Sequence, residues 1–151
     1  MTTQGSKILD VGAGSGSVGA YLEKRYGVDV RSYEVLPPGE NKYATMHNQH
    51  ETGAVLHMFD GRRLPNEADA THDTVIFNAV LHHAAHNTLS LLQEAARVAR
   101  RYILLVEDLD LTDNGAFRNS TKLSVLERNR QHEPKGIFRT HREWAALIES
   151  R

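Results

Sequence analysis

The sequence contains no cysteine among its 151 residues. Disulfide bonds, thiolate metal sites and cysteine nucleophiles are therefore excluded. Long apolar runs are also missing, and the start of the chain lacks the basic-then-apolar pattern of a secretion signal. We therefore expect a protein of the cytoplasm that has no membrane partner.

Internal repeats, linkers and low-complexity tracts are absent too, so the sequence predicts a single domain over residues 1–151. The net charge of −1 is unevenly distributed. Residues 1–96 carry 7 basic and 11 acidic groups (net −4), whereas residues 97–151 carry 11 basic and 8 acidic groups (net +3). The aromatic residues of the basic stretch 117–142 are not interleaved as a base-stacking surface requires, so we interpret the stretch as a solvated face and do not expect a nucleic-acid partner.

A glycine-rich stretch near the start of the chain is the most informative feature that is present. The apolar run Ile8–Val11 contains one acid, Asp10, and leads to glycines at positions 12, 14 and 16. Ser17 then begins a helical pattern. Glycine permits positive φ and a close approach of the backbone to a ligand, and a helix N-terminus attracts anionic groups. The stretch therefore predicts a cradle for a nucleoside cofactor.

Strand and helix patterns alternate after this stretch. Strands are predicted over residues 8–11, 28–35, 54–59, 74–78 and 101–107. The first helix is expected to have Ser15 or Ser17 as its N-cap and to end at Gly27. A weak helix is predicted over 41–51, and an amphipathic helix over 87–100 with an apolar face made of Leu89, Leu92, Ala96 and Ala99. This order predicts an α/β fold: a Rossmann-like, doubly wound sheet of about five mainly parallel strands with helices on both faces.

The fifth predicted strand is apolar throughout its middle, which favours burial on both faces. The pattern changes after it, so we expect a core over residues 6–108 and a helical C-terminal segment over 109–151. That segment contains a predicted helix at 116–130. A capping box, Thr140 to Glu143, then begins a short helix whose apolar side is formed by Trp144, Leu147 and Ile148.

Ligands of such sheets bind at the carboxyl ends of the strands. The glycine loop, Glu34, Asp60 and Asn78 should therefore converge on one site. Asp10 lies where dinucleotide folds usually have an apolar residue, and it could bind loop N–H groups or reach an ammonium-bearing ligand through water. Glu34 suits ribose hydroxyls, a role shared by NAD and by other adenosine ligands. A nicotinamide oxidoreductase remains an alternative, although no Tyr-x-x-x-Lys pair is present.

In their order, the motifs resemble those of class I S-adenosylmethionine-dependent methyltransferases. Residues 8–16 match the first motif, Glu34 matches the acid after the second strand, and residues 59–65, 73–83 and 91–99 resemble later motifs. The resemblance covers about residues 7 to 108 and implies S-adenosyl-L-methionine as cofactor. The cofactor-binding residues implied are Asp10, Gly12, Ala13, Gly14, Gly16, Glu34, Val35, Asp60, Gly61 and Asn78.

His82 and His83 follow the fourth strand and are candidate catalytic bases. Glu107 and Asp108 end the fifth strand near the expected substrate mouth, and we interpret them as solvated acids or helix-capping groups rather than catalysts. His82 and His86 have helical spacing, but no HExxH pattern accompanies them, so we expect no metal.

The expected function is methyl transfer to a small molecule; the alternative is a cofactor-binding module or partner subunit without its own activity. Relative to the family the chain is truncated at both ends. We expect segment 109–150, a second copy in a homodimer, or a partner chain to cover the edge of the fifth strand.

Overall fold

The computed structural model describes residues 5–36, 53–110 and 136–149. Their elements are β1 (Lys7–Val11), α1 (Ser17–Tyr26), β2 (Asp29–Glu34), β3 (Leu56–Met58), β4 (His72–Asn78), a short 3-10 helix (Ala85–Asn87), α2 (Thr88–Val98), β5 (Ala99–Val106) and α3 (His141–Glu149). All five predicted strands are present, with ends that shift by no more than about two residues, a common uncertainty of such boundaries. The helices predicted over 41–51 and 116–130 lie outside the described residues.

The described strands form one sheet in the order β3-β2-β1-β4-β5. Every neighbouring pair in it is parallel. The order reverses between β1 and β4, because the chain first builds outward to β3 and then returns to the other side of β1. This topology confirms the predicted α/β class, and it places the switch point at the end of β1.

Side chains that alternate along the strands supply a core on each face of the sheet. On one face, Leu9 and Val11 pack in a cluster with residues of α2 and with Trp144 of α3. On the other face, Ile8, Val28 and Ile76 form a smaller cluster beside α1. Asp10 follows the same alternation as Ile8, so it points to the α1 face.

The N-cap of α1 is Gly16 at φ 75°, and it makes no side-chain capping bond. The prediction of Ser15 or Ser17 as N-cap was wrong. The residue before the helix must adopt positive φ to leave the loop, and glycine does so without strain. At the other end, Gly27 at φ 64° donates its N–H to the carbonyl of Glu23, which confirms the predicted C-cap.

Helix α2 differs from the prediction in its inner face and its end. The buried residues are Thr88, Leu91, Leu92, Ala95 and Val98. Of the predicted face only Leu92 is buried, whereas Leu89 is 41% exposed. The buried residues lie three or four positions apart, counted from Leu91, and so form one apolar stripe along the helix. Leu89 lies outside this stripe and faces solvent. The helix ends at Val98 rather than at residue 100, because Ala99 is already extended and pairs with β4.

Strand β5 lies at the edge of the sheet and is not buried on both faces, so that prediction was wrong. Tyr102 and Leu104 are 62% and 49% exposed. The expected cover by segment 109–150 lies largely outside the described residues, and its described part, residues 109–110 and 136–149, leaves Tyr102 and Leu104 exposed. Arg139 does form an isolated parallel bridge with Leu109, but this contact lies beyond the end of β5.

The capping box of α3 is confirmed. The Thr140 N–H donates to a carboxylate oxygen of Glu143 at 2.8 Å, and the Glu143 N–H donates to Thr140 Oγ1 at 3.2 Å. Trp144 is buried and Leu147 packs against the main core, as predicted, whereas Ile148 is half-exposed. None of the described helices is both long and apolar enough to span a bilayer.

Candidate functional site

The carboxyl ends of four parallel strands lie side by side, and we call this side of the sheet its carboxyl edge. Val11 of β1 lies beside Tyr33 of β2 and Phe77 of β4, and β3 pairs with the end of β2. The chain leaves the sheet at this edge through residues that the sequence predicted to converge: Gly12, Glu34, Asp60 and Asn78. The structure thus brings the predicted strand-end residues to one place.

The glycine loop begins with a turn held by the protein itself. The N–H groups of Gly12 and Ala13 both donate to the carbonyl of Tyr33 at 2.9 Å. Gly12 has φ 76°, and a Cβ there would lie only 2.0 Å from Val80 Cγ2. A glycine is therefore required at this position by the loop conformation and by the packing of Val80.

The two later glycines have different surroundings. A Cβ at Gly16 would lie 2.5 Å from Ala54 Cβ, so that residue also packs against protein. Gly14 has φ 58°, and nothing lies within 4 Å of its missing Cβ. Gly14 is consequently the glycine of the loop that faces open space, where a ligand can approach the backbone.

Glu34 ends β2 and turns back onto the loop, where its side chain is buried. Its Oε2 accepts the N–H of Gly14 at 2.8 Å. Its Oε1 accepts the N–H groups of Val35 and Leu36 at 2.7 and 3.2 Å. Each carboxylate oxygen has two acceptor positions, so Oε2 keeps one for a hydroxyl donor.

Asp10 is a buried carboxyl close to this acid. It is 1% exposed, and its Oδ2 has no hydrogen-bond partner. Burial, together with the charge of Glu34, raises the pKa of Asp10 from 3.8 to about 6. Of the two roles expected for Asp10, binding a loop amide falls to Glu34 at Gly14. A buried acid with a free oxygen instead suits a cationic group of a ligand.

Asp60 and Gly61 form a turn beside the end of β2. Asp60 Oδ1 accepts the N–H groups of Arg62 and Arg63 at 2.8 and 2.9 Å. These hydrogen bonds hold the pKa of Asp60 below its usual value. Gly61 has φ 74°, and a Cβ there would lie 3.3 Å from Val35 Cγ1. The turn is therefore seated against Val35, next to Glu34.

Asn78 and His83 are exposed at the end of β4, whereas His82 is buried at 2%. His82 Nδ1 lies 2.7 Å from Oε2 of Glu107. The two histidine rings are adjacent, with centroids 4.1 Å apart. The two candidate bases thus have different environments, and His83 is the one open to solvent.

The sequence undervalued Glu107, which was expected to be a solvated or capping acid. Its side chain is 4% exposed, so it is not solvated. Its Oε1 accepts the N–H groups of Val80 and Leu81 at 2.8 and 2.6 Å, and this caps the turn after β4. Its position directly after β5 was the available signal, because every other strand end of the sheet supplies a residue to this edge. Within the described residues, no group of three or more His, Asp or Glu side chains is placed to hold a metal ion.

A family model described as a methyltransferase domain matches residues 9–104. The chain belongs to this family. The matched residues include the glycine loop, Glu34, Asp60, Asn78 and both candidate histidines, and they end within β5. A comparison with curated proteins finds no match.

Solved structures support the methyltransferase-domain fold. A candidate methyltransferase from Bacillus halodurans C-125 has a TM-score of 0.71 at 18% identity, over 99% of this chain and 63% of that one. The YcgJ protein of Bacillus subtilis has a TM-score of 0.69 at 19% identity, over 98% and 62%. Phosphoethanolamine N-methyltransferase 2 of Haemonchus contortus, in complex with S-adenosyl-L-methionine, has a TM-score of 0.69 at 14% identity, over 99% and 33%. This chain thus spans less than two thirds of the length of these proteins.

Proposed function

We propose that this chain is an S-adenosylmethionine-dependent methyltransferase that acts on a small-molecule acceptor in the cytoplasm. The observation that carries the proposal is the acid pair behind the glycine loop. Asp10 has a buried oxygen without a partner, and Glu34 holds the amide of Gly14. An adenosine ligand with an ammonium group meets both needs, because its cation would pair with Asp10 and its ribose with Glu34.

The remaining cofactor residues have roles that fit the same ligand. Asp60 and Gly61, seated against Val35, would meet the adenine, and Asn78 would face the methionine part. Gly12, Ala13 and Gly16 would shape the loop around the ligand, and Gly14 leaves room for it. When bound, S-adenosylmethionine supplies an activated methyl group, so the protein chiefly has to position the acceptor. His83 would take the acceptor's proton where one must leave.

Calorimetric titration of the purified chain with S-adenosylmethionine, S-adenosylhomocysteine and NAD tests the proposal. We expect the first two to bind and NAD not to bind. Replacing Asp10 or Glu34 by Ala should each weaken binding by about 1–3 kcal/mol, as expected for a lost buried polar partner. Asp29→Ala is the matched control, because Asp29 is an exposed acid at the opposite end of β2. Binding of NAD alone would contradict the proposal.

A cofactor-binding module without its own activity is the second candidate. It is favoured by the environment of His82, because this candidate base is buried and its ring is bound to Glu107. The two candidates differ in turnover. Incubation with labelled S-adenosylmethionine and a panel of amine, hydroxyl and thiol acceptors should yield S-adenosylhomocysteine from an enzyme. Tight binding without turnover across the panel would favour the module.

A further inference from the structure

Glu107 connects three segments of the chain: the end of β5, the turn after β4 and the residues before α3. They meet on the side of the site that carries His83, which we call the acceptor side. One oxygen binds two amides of the turn after β4, and the other binds the ring of His82. His82 in turn contacts the segment before α3. We propose that Glu107 is a positioning residue: by holding this turn it sets the glycine loop for the cofactor and ties the segment 136–140 to the acceptor side. This inference rests on the proposed function.

The turn that Glu107 holds contains backbone strain. Ala79 adopts φ 54°, a left-handed conformation that is unfavourable for a non-glycine residue. Its N–H donates to the carbonyl of Val106 at 2.7 Å. The next two N–H groups, of Val80 and Leu81, converge on a single carboxylate oxygen of Glu107. The conformation therefore depends on the residues at the end of β5, which are distant in sequence.

The turn also contacts the cofactor loop. Val80 occupies the space beside Gly12, since its Cγ2 lies 2.0 Å from where a Cβ of Gly12 would be. Gly12 is anchored on its other side by the hydrogen bond to Tyr33. A displacement of Val80 would therefore either press on the loop or leave a gap behind it. The amide that Glu107 binds thus determines how firmly the loop is supported.

His82 carries the connection to the third segment. Its ring stacks on Phe138 with centroids 5.0 Å apart and an interplanar angle of 19°. Its carbonyl accepts the N–H of Ile137 at 2.8 Å. Phe138 leads directly to the capping box of α3. Through His82, Glu107 therefore holds the segment before α3 against the turn that also carries the exposed His83. This segment lies more than fifty residues after β4 in the sequence.

The charge of Glu107 is suited to this role. Burial raises the pKa of the carboxyl, but the hydrogen bonds from His82, Leu81 and Val80 outweigh burial and hold the pKa below its usual range. An ionised acceptor makes shorter and stronger hydrogen bonds than a neutral one. Three hydrogen-bond donors converge on this one buried carboxylate, and a neutral side chain cannot bind all three as strongly.

The test compares Glu107→Met, which keeps the volume but has no oxygen acceptor, with Glu107→Gln, which keeps one. Glu94→Met is the matched control. Glu94 also binds a backbone N–H, that of Leu64 at 3.0 Å, and pairs with Arg97, away from the glycine loop. Calorimetry would measure affinity for S-adenosylhomocysteine, and hydrogen exchange would report on the amides of Val80, Leu81 and Ile137.

For Glu107→Met we expect affinity for S-adenosylhomocysteine to fall about tenfold or more, as for lost hydrogen bonds to a charged group. Exchange at the three amides should quicken. Glu107→Gln should shift both readouts in the same direction but less, and it decides the question if the methionine variant does not fold. Glu94→Met should lower stability while affinity stays within about twofold.

Unchanged affinity together with unchanged protection of the three amides in the folded Glu107 variants would overturn the inference. So would an equal loss of affinity in Glu94→Met, because the effect would then be general destabilisation. If the wild-type chain binds no S-adenosylhomocysteine, the proposed function fails. In that case the hydrogen-exchange data still test whether Glu107 holds the turn after β4, because this turn is present without ligand.

Discussion

At the scale of single residues, Asp10 illustrates how a binding group can cost stability. Its pKa in the folded protein is about 6, above the ordinary 3.8. The folded state therefore binds this proton more tightly than the unfolded chain does. The resulting cost is absent below about pH 4, grows as pH rises, and is complete above about pH 6. The protein keeps a destabilising carboxylate at neutral pH, as expected where function requires the charge.

We expect Asp10→Asn to raise the free energy of unfolding at pH 8 by about 1–3 kcal/mol, because the neutral amide avoids the burial of a charge. The gain should be smaller by about 1 kcal/mol at pH 5, where the folded wild type is mostly protonated at this position. Urea titrations at the two pH values measure both differences. The same variant should bind S-adenosylmethionine more weakly. A gain that does not depend on pH would contradict the role of charge.

At the scale of elements, the turn from β1 to α1 is held by neighbours on both sides. Gly12→Ala should destabilise the fold by about 3 kcal/mol, because the new Cβ adds both left-handed strain and a clash with Val80. Gly14→Ala is the matched control: it has the same sign of φ but no neighbour within 4 Å. It should cost about 1 kcal/mol.

Urea denaturation of Gly12→Ala, Gly14→Ala, Val80→Ala and the double variant Gly12→Ala/Val80→Ala measures these costs. Removing the Val80 methyl groups should relieve part of the Gly12→Ala penalty, so the double variant should be more stable than the sum of the single changes predicts. Equal costs at positions 12 and 14 would show that backbone strain alone explains the glycines.

At the scale of the whole molecule, α3 is part of the main core although it is separated from the sheet in sequence. Trp144 is 7% exposed and packs in the cluster that contains Leu9 and Phe77 of the central strands. It is also the one tryptophan of the chain. Its fluorescence therefore reports on the docking of α3, while far-UV circular dichroism reports on all helices.

We expect the two signals to change at the same urea concentration, because a helix that shares the core unfolds with it. Trp144→Ala should lower the free energy of unfolding by about 3–5 kcal/mol. Trp144→Phe should lower it less, because phenylalanine keeps an aromatic ring in the core. Circular dichroism serves for both variants, since they lack the fluorophore. A fluorescence transition that precedes the dichroism transition would show that α3 detaches as a separate unit.

Much of this architecture was predictable from local patterns. The five strands, the helix that follows the glycine loop and the Thr140–Glu143 capping box depend on residues close in sequence, and those predictions were confirmed. The face of α2 was misjudged because Leu89 and Leu91 are both apolar, and only contact with the sheet selects between them. The strand ends indicated the place of the site. Glu107 was expected to be a solvated or helix-capping acid, whereas it is buried and caps the turn after β4.

The sequence by itself determined the order of the elements and which chemical groups stand at the strand ends, because these are properties of short segments. Tertiary structure decided the rest. It buried Asp10 beside Glu34 and so raised the pKa of Asp10. It also left Tyr102 of β5 exposed at the edge of the sheet, and it brought Glu107 onto a turn that ends 25 residues earlier, at His82. Such contacts join segments far apart in sequence, so they form only when packing of the sheet brings those segments together.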